Sequence, residues 1–414
     1  MPQNKTTGQT RRNDASSPTG LTEATGRGLI WLAVAALVAM TVLSACTGQV
    51  PLLTPEPPTG QEQPQDDLTA LDQAIADNPE DVDAYIDRGI LRAEKGDLDA
   101  AIQDFSEAIR LDPEDALAYY NRGLAYASLG DVEAALQNFD RAIQLTPEDA
   151  LAYNERGNAY YSLGDLDAAI RDLDQSIRLA PDNATGYYNR GNVYAARGDL
   201  TQAVQDFDQA IRLDPEFAAA HRNRGLARAF LGDPDAAIQD FDQAIRLDPG
   251  FAAAYNDRAL IYEDRGEFEA ALQDFEQAIA LDPQNPLTYY NRGFAYAKQG
   301  AINAAMADFQ QAIQLDPEFA DAHYALCLSY LKRGEATEAL PFCDQALSLD
   351  PRPRYYEGRG VVLTEIGNYD AAIADLETYV DWLKTQDNPA ATAQMEQYAA
   401  AIEMLKQGEN PFTP

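Results

Sequence analysis

Residues 116–149 read ALAYYNRGLAYASLGDVEAALQNFDRAIQLTPED, and the fold is decided by how often that arrangement returns. With Ala116 as position 1, the stretch places Tyr119 at 4, Gly123 at 8, Tyr126 at 11, Gly130 at 15, Ala135 at 20, Phe139 at 24, Ala142 at 27 and Pro147 at 32. Prolines stand at 79, 113, 147, 181, 215, 249, 283, 317 and 351, each 34 residues after the last. Units therefore begin at 82, 116, 150, 184, 218, 252, 286 and 320. The eighth is one residue short, so a ninth begins at Pro353, with Tyr356, Gly360, Gly367, Ala372 and Leu376 in the matching places. Half a unit, with Leu71, Ala74 and Pro79, precedes the first.

Ala101, Ile102, Phe105, Ala108 and Ile109 recur at the spacing of one helix face, and each unit holds two such faces. Gly at position 15 followed by an acid, as in Gly130-Asp131 and Gly266-Glu267, ends the first helix and caps the second. Proline at 32 ends the second helix, and small residues at 8, 20 and 27 let backbones approach closely.

The period and its fixed places resemble the tetratricopeptide repeat over residues 82 to about 386. The resemblance implies an all-α fold, a right-handed superhelical solenoid of about nine pairs of antiparallel helices, with a capping helix expected over Ala391 to Lys406. It also implies a non-catalytic scaffold whose first helices line a concave groove, with positions 2, 5, 6, 9, 12 and 13 toward a ligand. Carried across, those places supply Tyr120, Asn154, Tyr188, Arg222, Asn256, Tyr290 and Tyr324 at position 5. Position 6 supplies Asn121, Asn189, Asn223 and Asn291, with Asp87, Glu155 and Asp257 between them, and position 9 adds Asn158 and Asn192. Tyrosines and amides suit an extended, partly apolar peptide or protein segment. The clamp of Lys and Asn that family members use for acidic tails is missing, which makes an acidic C-terminal tail a poor ligand.

One feature departs from the family pattern. Position 7 is Arg in eight of the nine units, at 88, 122, 156, 190, 224, 258, 292 and 359, where the family carries an apolar residue. Position 23 is Asp in seven of those eight units and Asn138 in the other, while the unit lacking Arg has Leu326 and Phe342. Both partners change together, which predicts a ladder of Arg to Asp pairs within units. Cys327 and Cys343, 16 residues apart at positions 8 and 24, admit two readings: a disulfide across the helix pair, or small buried replacements for Gly and Phe.

His221 and His323 both stand at position 4, the place of Tyr elsewhere, and read as packing substitutes. No metal-ligand spacing, phosphate loop or nucleophile elbow is present, and no cofactor is expected. With 31 Lys and Arg against 67 Asp and Glu, the net charge of −36 argues against nucleic acid as a partner.

Residues 1–45 comprise a polar stretch with Lys5, Arg11, Arg12 and Arg27 and then an apolar run, Leu29 to Ala45, the layout of an export signal. Leu43-Ser44-Ala45-Cys46 resembles a bacterial lipobox, in which the signal is cut before a lipid-bearing cysteine, here Cys46. An uncleaved membrane anchor is the other reading, and both leave the chain tethered by its N-terminus outside the cytoplasm, in the cell envelope. The Pro- and Gln-rich segment 46–67 reads as a linker, followed by the half-repeat 68–81, the array 82–386 and a capping helix and tail over 387–414. The expected function is a membrane-tethered scaffold for a protein or peptide segment, the alternative a structural spacer or assembly factor without a dedicated groove.

Overall fold

The turn inside each unit is fixed by its glycine. Gly130 has φ 81°, in the left-handed region open to a residue without a side chain, so Gly130 N donates to Ala127 O and Asp131 N donates to Tyr126 O, ending the helix. The Asp131 side chain then accepts from Ala134 N and starts the next helix one residue later. Asp97, Asp165 and Asp233 cap in the same way. Asp199 and Glu267 hold the same place without a cap bond, because Arg197 Nε (2.5 Å) and Arg265 Nε (2.9 Å) draw their carboxylates aside.

The computed structural model describes residues 68–386 and 388–412. The apolar run, Cys46 and the linker lie outside them. Among the described residues there are twenty helices and no strand, and none of the helices is long and apolar enough to cross a membrane. The chain falls into two units that divide between Pro249 and Gly250.

In the first unit, α1 (Leu68–Asp77) is the single helix of the half-repeat. Four helix pairs follow: α2 (Val82–Glu94) with α3 (Leu98–Leu111), α4 (Ala116–Leu129) with α5 (Val132–Leu145), α6 (Ala150–Ser162) with α7 (Leu166–Leu179), and α8 (Ala184–Arg197) with α9 (Leu200–Leu213). A fifth pair, α10 (Ala218–Phe230) with α11 (Pro234–Leu247), completes it. The core repeats with the sequence: Phe105, Phe139, Leu173, Phe207 and Phe241, all at position 24, are fully buried. The ring at 24 explains the glycine at 8, since a methyl group on Gly123 would stand 2.7 Å from the Phe139 ring.

The second unit holds α12 (Ala252–Asp264), α13 (Phe268–Leu281), α14 (Pro286–Lys298), α15 (Ile302–Leu315), α16 (Ala320–Lys332), α17 (Ala336–Leu349), α18 (Pro353–Glu365) and α19 (Tyr369–Leu383), paired in that order. The last helix, α20 (Pro389–Lys406), lays Ala391, Tyr398, Ile402 and Leu405 on Leu376, Val380 and Leu383 of α19. The apolar side of the last pair is thereby covered, as the end of a repeat array requires.

Cys327 and Cys343 are joined, with Cα atoms 5.4 Å apart. They occupy the places where other pairs bring Gly against Phe, so the close approach that excludes a methyl elsewhere is here spanned by sulfur. Both are fully buried.

The arginine ladder forms at every expected rung. Arg88 Nε and Nη2 donate to the two oxygens of Asp104 at 3.0 and 2.7 Å, and the same fork joins Arg156 to Asp172, Arg190 to Asp206, Arg224 to Asp240, Arg258 to Asp274, Arg292 to Asp308 and Arg359 to Asp375. Arg122 donates to Asn138 Oδ1 at 2.8 Å, and Leu326 is buried with Phe342 packed in the same cluster. Each guanidinium also lies on the tyrosine three residues earlier where one is present, as Arg190 does on Tyr187 at 5.7 Å.

The ladder does more than the sequence reading anticipated. The remaining nitrogen reaches back to position 25 of the preceding repeat: Arg88 to Asp72 (2.7 Å), Arg122 to Ser106 Oγ (3.0 Å), Arg156 to Asp140 (2.6 Å), Arg190 to Asp174 (2.6 Å), Arg224 to Asp208 (2.6 Å) and Arg359 to Asp344 (2.8 Å). One planar cation with five donors thus ties two helices of its own repeat to the one before. Where position 11 is also Arg, it joins the same carboxylate, Arg92 on Asp104 at 2.8 Å and Arg228 on Asp240 at 2.9 Å.

Candidate binding surface

Positions 5, 6 and 9 of the first helices were expected to face a ligand, and the structure divides them. In the first unit Tyr120 and Tyr188 are buried. Their ring centroids lie 6.0 Å from those of Phe139 and Phe207, and Tyr188 is also 4.7 Å from Phe217. Burial pushes the Tyr120 hydroxyl well above the ordinary phenol range. These tyrosines are core rings, a correction to their expected place in a ligand groove: position 5 points between successive first helices, and the next repeat covers it. Asn121, Asn154, Asn192 and Arg222 are buried as well.

Asn158, Asn189 and Asn223 stay half-buried and form a polar track with those buried amides. Asn189 Nδ2 donates to Asn154 Oδ1 of the preceding repeat at 3.1 Å. Asn223 Nδ2 donates to Tyr188 OH at 3.1 Å and to Asn192 Oδ1 at 2.8 Å. Asn189 and Asn223, at position 6, therefore stitch their first helices to the one before through the amide nitrogen. Glu155, at 8% exposure, takes hydrogen bonds from Asn154 (2.8 Å) and Asn158 (3.3 Å). Burial raises its pKa above the usual carboxylate range, against the pull of the two amides.

In the second unit Asn291 Nδ2 donates to Asn256 Oδ1 at 3.1 Å, repeating the stitch with both residues buried. Tyr290 is a core ring held by Phe294, Phe309 and Phe319, with centroids 4.9, 5.9 and 4.8 Å away. Tyr324 is half-buried against Tyr355 and donates to Arg354 O at 2.8 Å. Asp321 accepts from Tyr355 OH at 2.6 Å and from Arg352 and Arg354. Tyr398 of the last helix donates to Glu357, whose pKa burial raises. Neither Asp321 nor the Glu357 bond was foreseen, although both lie at groove positions, 2 and 5.

The histidines behave as tyrosines do at the same place. His221 Nε2 and His323 Nε2 meet the carbonyls of Pro215 and Pro317 at 3.3 and 3.0 Å, and Tyr289 OH donates to Pro283 O at 3.4 Å. Burial by itself would raise the Asp240 pKa, but His221, Arg224 and Arg228 hold it below its ordinary value. Among the described residues no group of three or more His, Cys, Asp or Glu side chains could hold a metal ion.

A family model described as TPR repeat matches residues 91–130, 123–164, 157–196, 191–232, 260–300 and 295–334, and two described as tetratricopeptide repeat match 218–251 and 241–273. No curated protein matches the chain. Among solved structures, a tetratricopeptide repeat protein from Parabacteroides merdae ATCC 43184 is 22% identical with a TM-score of 0.50, over 60% of this chain and 98% of that one. The APC/C hetero-tetramer Cut9-Hcn1 is 18% identical with a TM-score of 0.52, over 71% of this chain and 58% of that one. YrrB, described as a TPR protein with an unusual peptide-binding site, is 26% identical over 45% of this chain and 95% of its own, with a TM-score of 0.37. With family models running unbroken from residue 91 to 334, more than half its length, the chain belongs to the tetratricopeptide repeat family.

Proposed function

We propose that the protein is a non-catalytic scaffold that holds an extended segment of another protein against the first-helix face of its repeats, tethered to a membrane of the cell envelope through Cys46 or an uncleaved anchor. The observation that carries the reading is the half-buried amide track of the first unit. Asn189 and Asn223 spend their Nδ2 groups on the preceding repeat and keep their Oδ1 atoms unbonded among the described residues, on side chains still open to solvent. An amide held rigid at one end and open at the other is a preorganised acceptor for a backbone N–H. The tether rests on the sequence alone, on the run Leu29 to Ala45 and the lipobox-like Leu43-Ser44-Ala45-Cys46.

A photo-crosslinking amino acid at Asn189, with Gln205 on the exposed side of α9 as control, tests this in native cells. A discrete adduct at 189 and none at 205 is expected. The spacer reading draws on a different observation, the arginines that join consecutive repeats and stiffen the array. Adducts at neither position, or at 205 alone, would favour it.

A further inference from the structure

We propose that Asp87 and Glu155, the position-6 acids of α2 and α6, receive two basic side chains of one extended partner segment, so that the ligand of the first unit is a cationic peptide. The inference rests on the reading that the first-helix face binds a segment, and it names that segment's chemistry.

Five carboxylates of the first unit are buried: Asp104, Glu155, Asp172, Asp206 and Asp240. Four of them are forked by arginine, at Nη2 to Oδ1 distances of 2.7 Å for Asp104, Asp172 and Asp206 and 2.6 Å for Asp240. Glu155 alone has no cation among the described residues; its only partners are the neutral amides of Asn154 and Asn158. Two amides fix the orientation of the carboxyl without neutralising its charge. A buried acid in a unit where every other buried carboxylate is forked by an arginine is a place prepared for a cation from outside.

Asp87 is its counterpart two repeats earlier. It is half-buried, makes no hydrogen bond or ion pair within the described residues, and burial together with the neighbouring charges of Asp83 and Asp81 raises its pKa. Both acids stand at position 6, with Asn121 at the same place on α4 between them. Neighbouring packed helices lie about 10 Å apart, which sets the two carboxyls about 20 Å apart. An extended chain advances about 3.3 Å per residue, so about six residues span that distance. An even separation puts both side chains of a strand on one side, toward the face that carries the acids. The spacing is far too long for one metal ion and fits two lysines or arginines on one segment. The net charge of −36 would draw such a segment in and repel an acidic one.

The test is fluorescence anisotropy on the full chain, with a labelled peptide of about twelve residues that alternates Leu and Ser and carries lysines six positions apart. Comparison peptides replace the lysines by norleucine or by glutamate. Expected are binding of the lysine peptide, at least tenfold weaker binding of the other two, and a tenfold or greater loss in Glu155→Gln and again in Asp87→Asn, with Gln205→Ala unchanged. Glu155→Gln keeps the shape and the contact from Asn154 at its amide oxygen, while half-buried Asn158 can turn its own oxygen to the new amide nitrogen, and Asp87→Asn changes a half-buried side chain with no partner among the described residues, so each variant is expected to fold. Equal binding of the lysine and norleucine peptides, no binding of the lysine peptide, or variants that bind like the parent would overturn the assignment. An adduct at position 189 in cells alongside any of those results leaves the binding face standing and removes only its cationic ligand.

Discussion

Replacing Arg190 by leucine removes one cation from three helices at once. Its fork to Asp206 has bonds of 2.8 and 2.7 Å, and its third bond reaches Asp174 at 2.6 Å. Asp206 is 6% exposed and would be left charged and unpaired. Removing one member of a buried pair costs about 3–5 kcal/mol. The Arg190 side chain is 20% exposed, so water reaches the vacated site and the lower end applies, about 3 kcal/mol. Asp174, at 40% side-chain exposure, adds at most a few tenths of a kcal/mol. For a cooperative unit of this size, 3 kcal/mol lowers Tm by about 6–12 °C, readable by calorimetry. The chain also holds its own control, because Leu326 and Phe342 fill the same two places in the eighth repeat. Arg190→Leu with Asp206→Phe should therefore recover most of the loss, and a double-mutant cycle should show coupling above about 1 kcal/mol. An unchanged melting temperature in Arg190→Leu, or a double variant no better than the single one, would refute the account of the ladder.

Reducing the Cys327–Cys343 bond, or making Cys327→Ala with Cys343→Ala, should destabilise the second unit by about 3 kcal/mol for a loop of this length; alkylation of both thiols in unfolded, unreduced protein would show that the bond is not there. Gly130→Ala should cost about 1 kcal/mol, because φ 81° strains any residue with a Cβ, and chemical denaturation would read it. Glu155 keeps its proton in the folded state to a higher pH than in the unfolded chain, so its contribution to stability falls as pH rises from about 4.3 through the folded pKa. Glu155→Gln should accordingly melt higher than the parent at pH 7, with the difference vanishing near pH 4; a difference independent of pH would mean that burial does not raise the Glu155 pKa.

The repeat was legible because its punctuation is physical. Gly130 and Asp131 end one helix and begin another whatever surrounds them, and a proline every 34 residues fixes the length of each pair. The arginine rungs were legible because position 7 and position 23 change together at Leu326 and Phe342. Their second contact, to position 25 one repeat back, carried a signal too, in Asp72, Asp140, Asp174, Asp208 and Asp344. It was missed because the partner belongs to a neighbouring repeat, where periodicity compares like with like and does not look across.

The open surface was the hardest part to read, and Tyr120 and Asn189 show why. Both lie on the first-helix side, one residue apart in the repeat frame, and a 3.6-residue period puts them on one broad face. Whether water or the next helix covers that face depends on the crossing of successive repeats, which no single repeat encodes; the result is a core ring at position 5 and a half-open amide at position 6. In an array this regular, a departure from the pattern carries information through its compensation. Leu326 comes with Phe342 and Cys327 comes with Cys343, so both departures are answered within the fold. Glu155 replaces an asparagine of the position-6 series and no basic side chain among the described residues pairs with it, and the same holds for Asp87. A charge left unanswered among the described residues, on a face whose amides keep open acceptors, is the ground for a partner that supplies the answer.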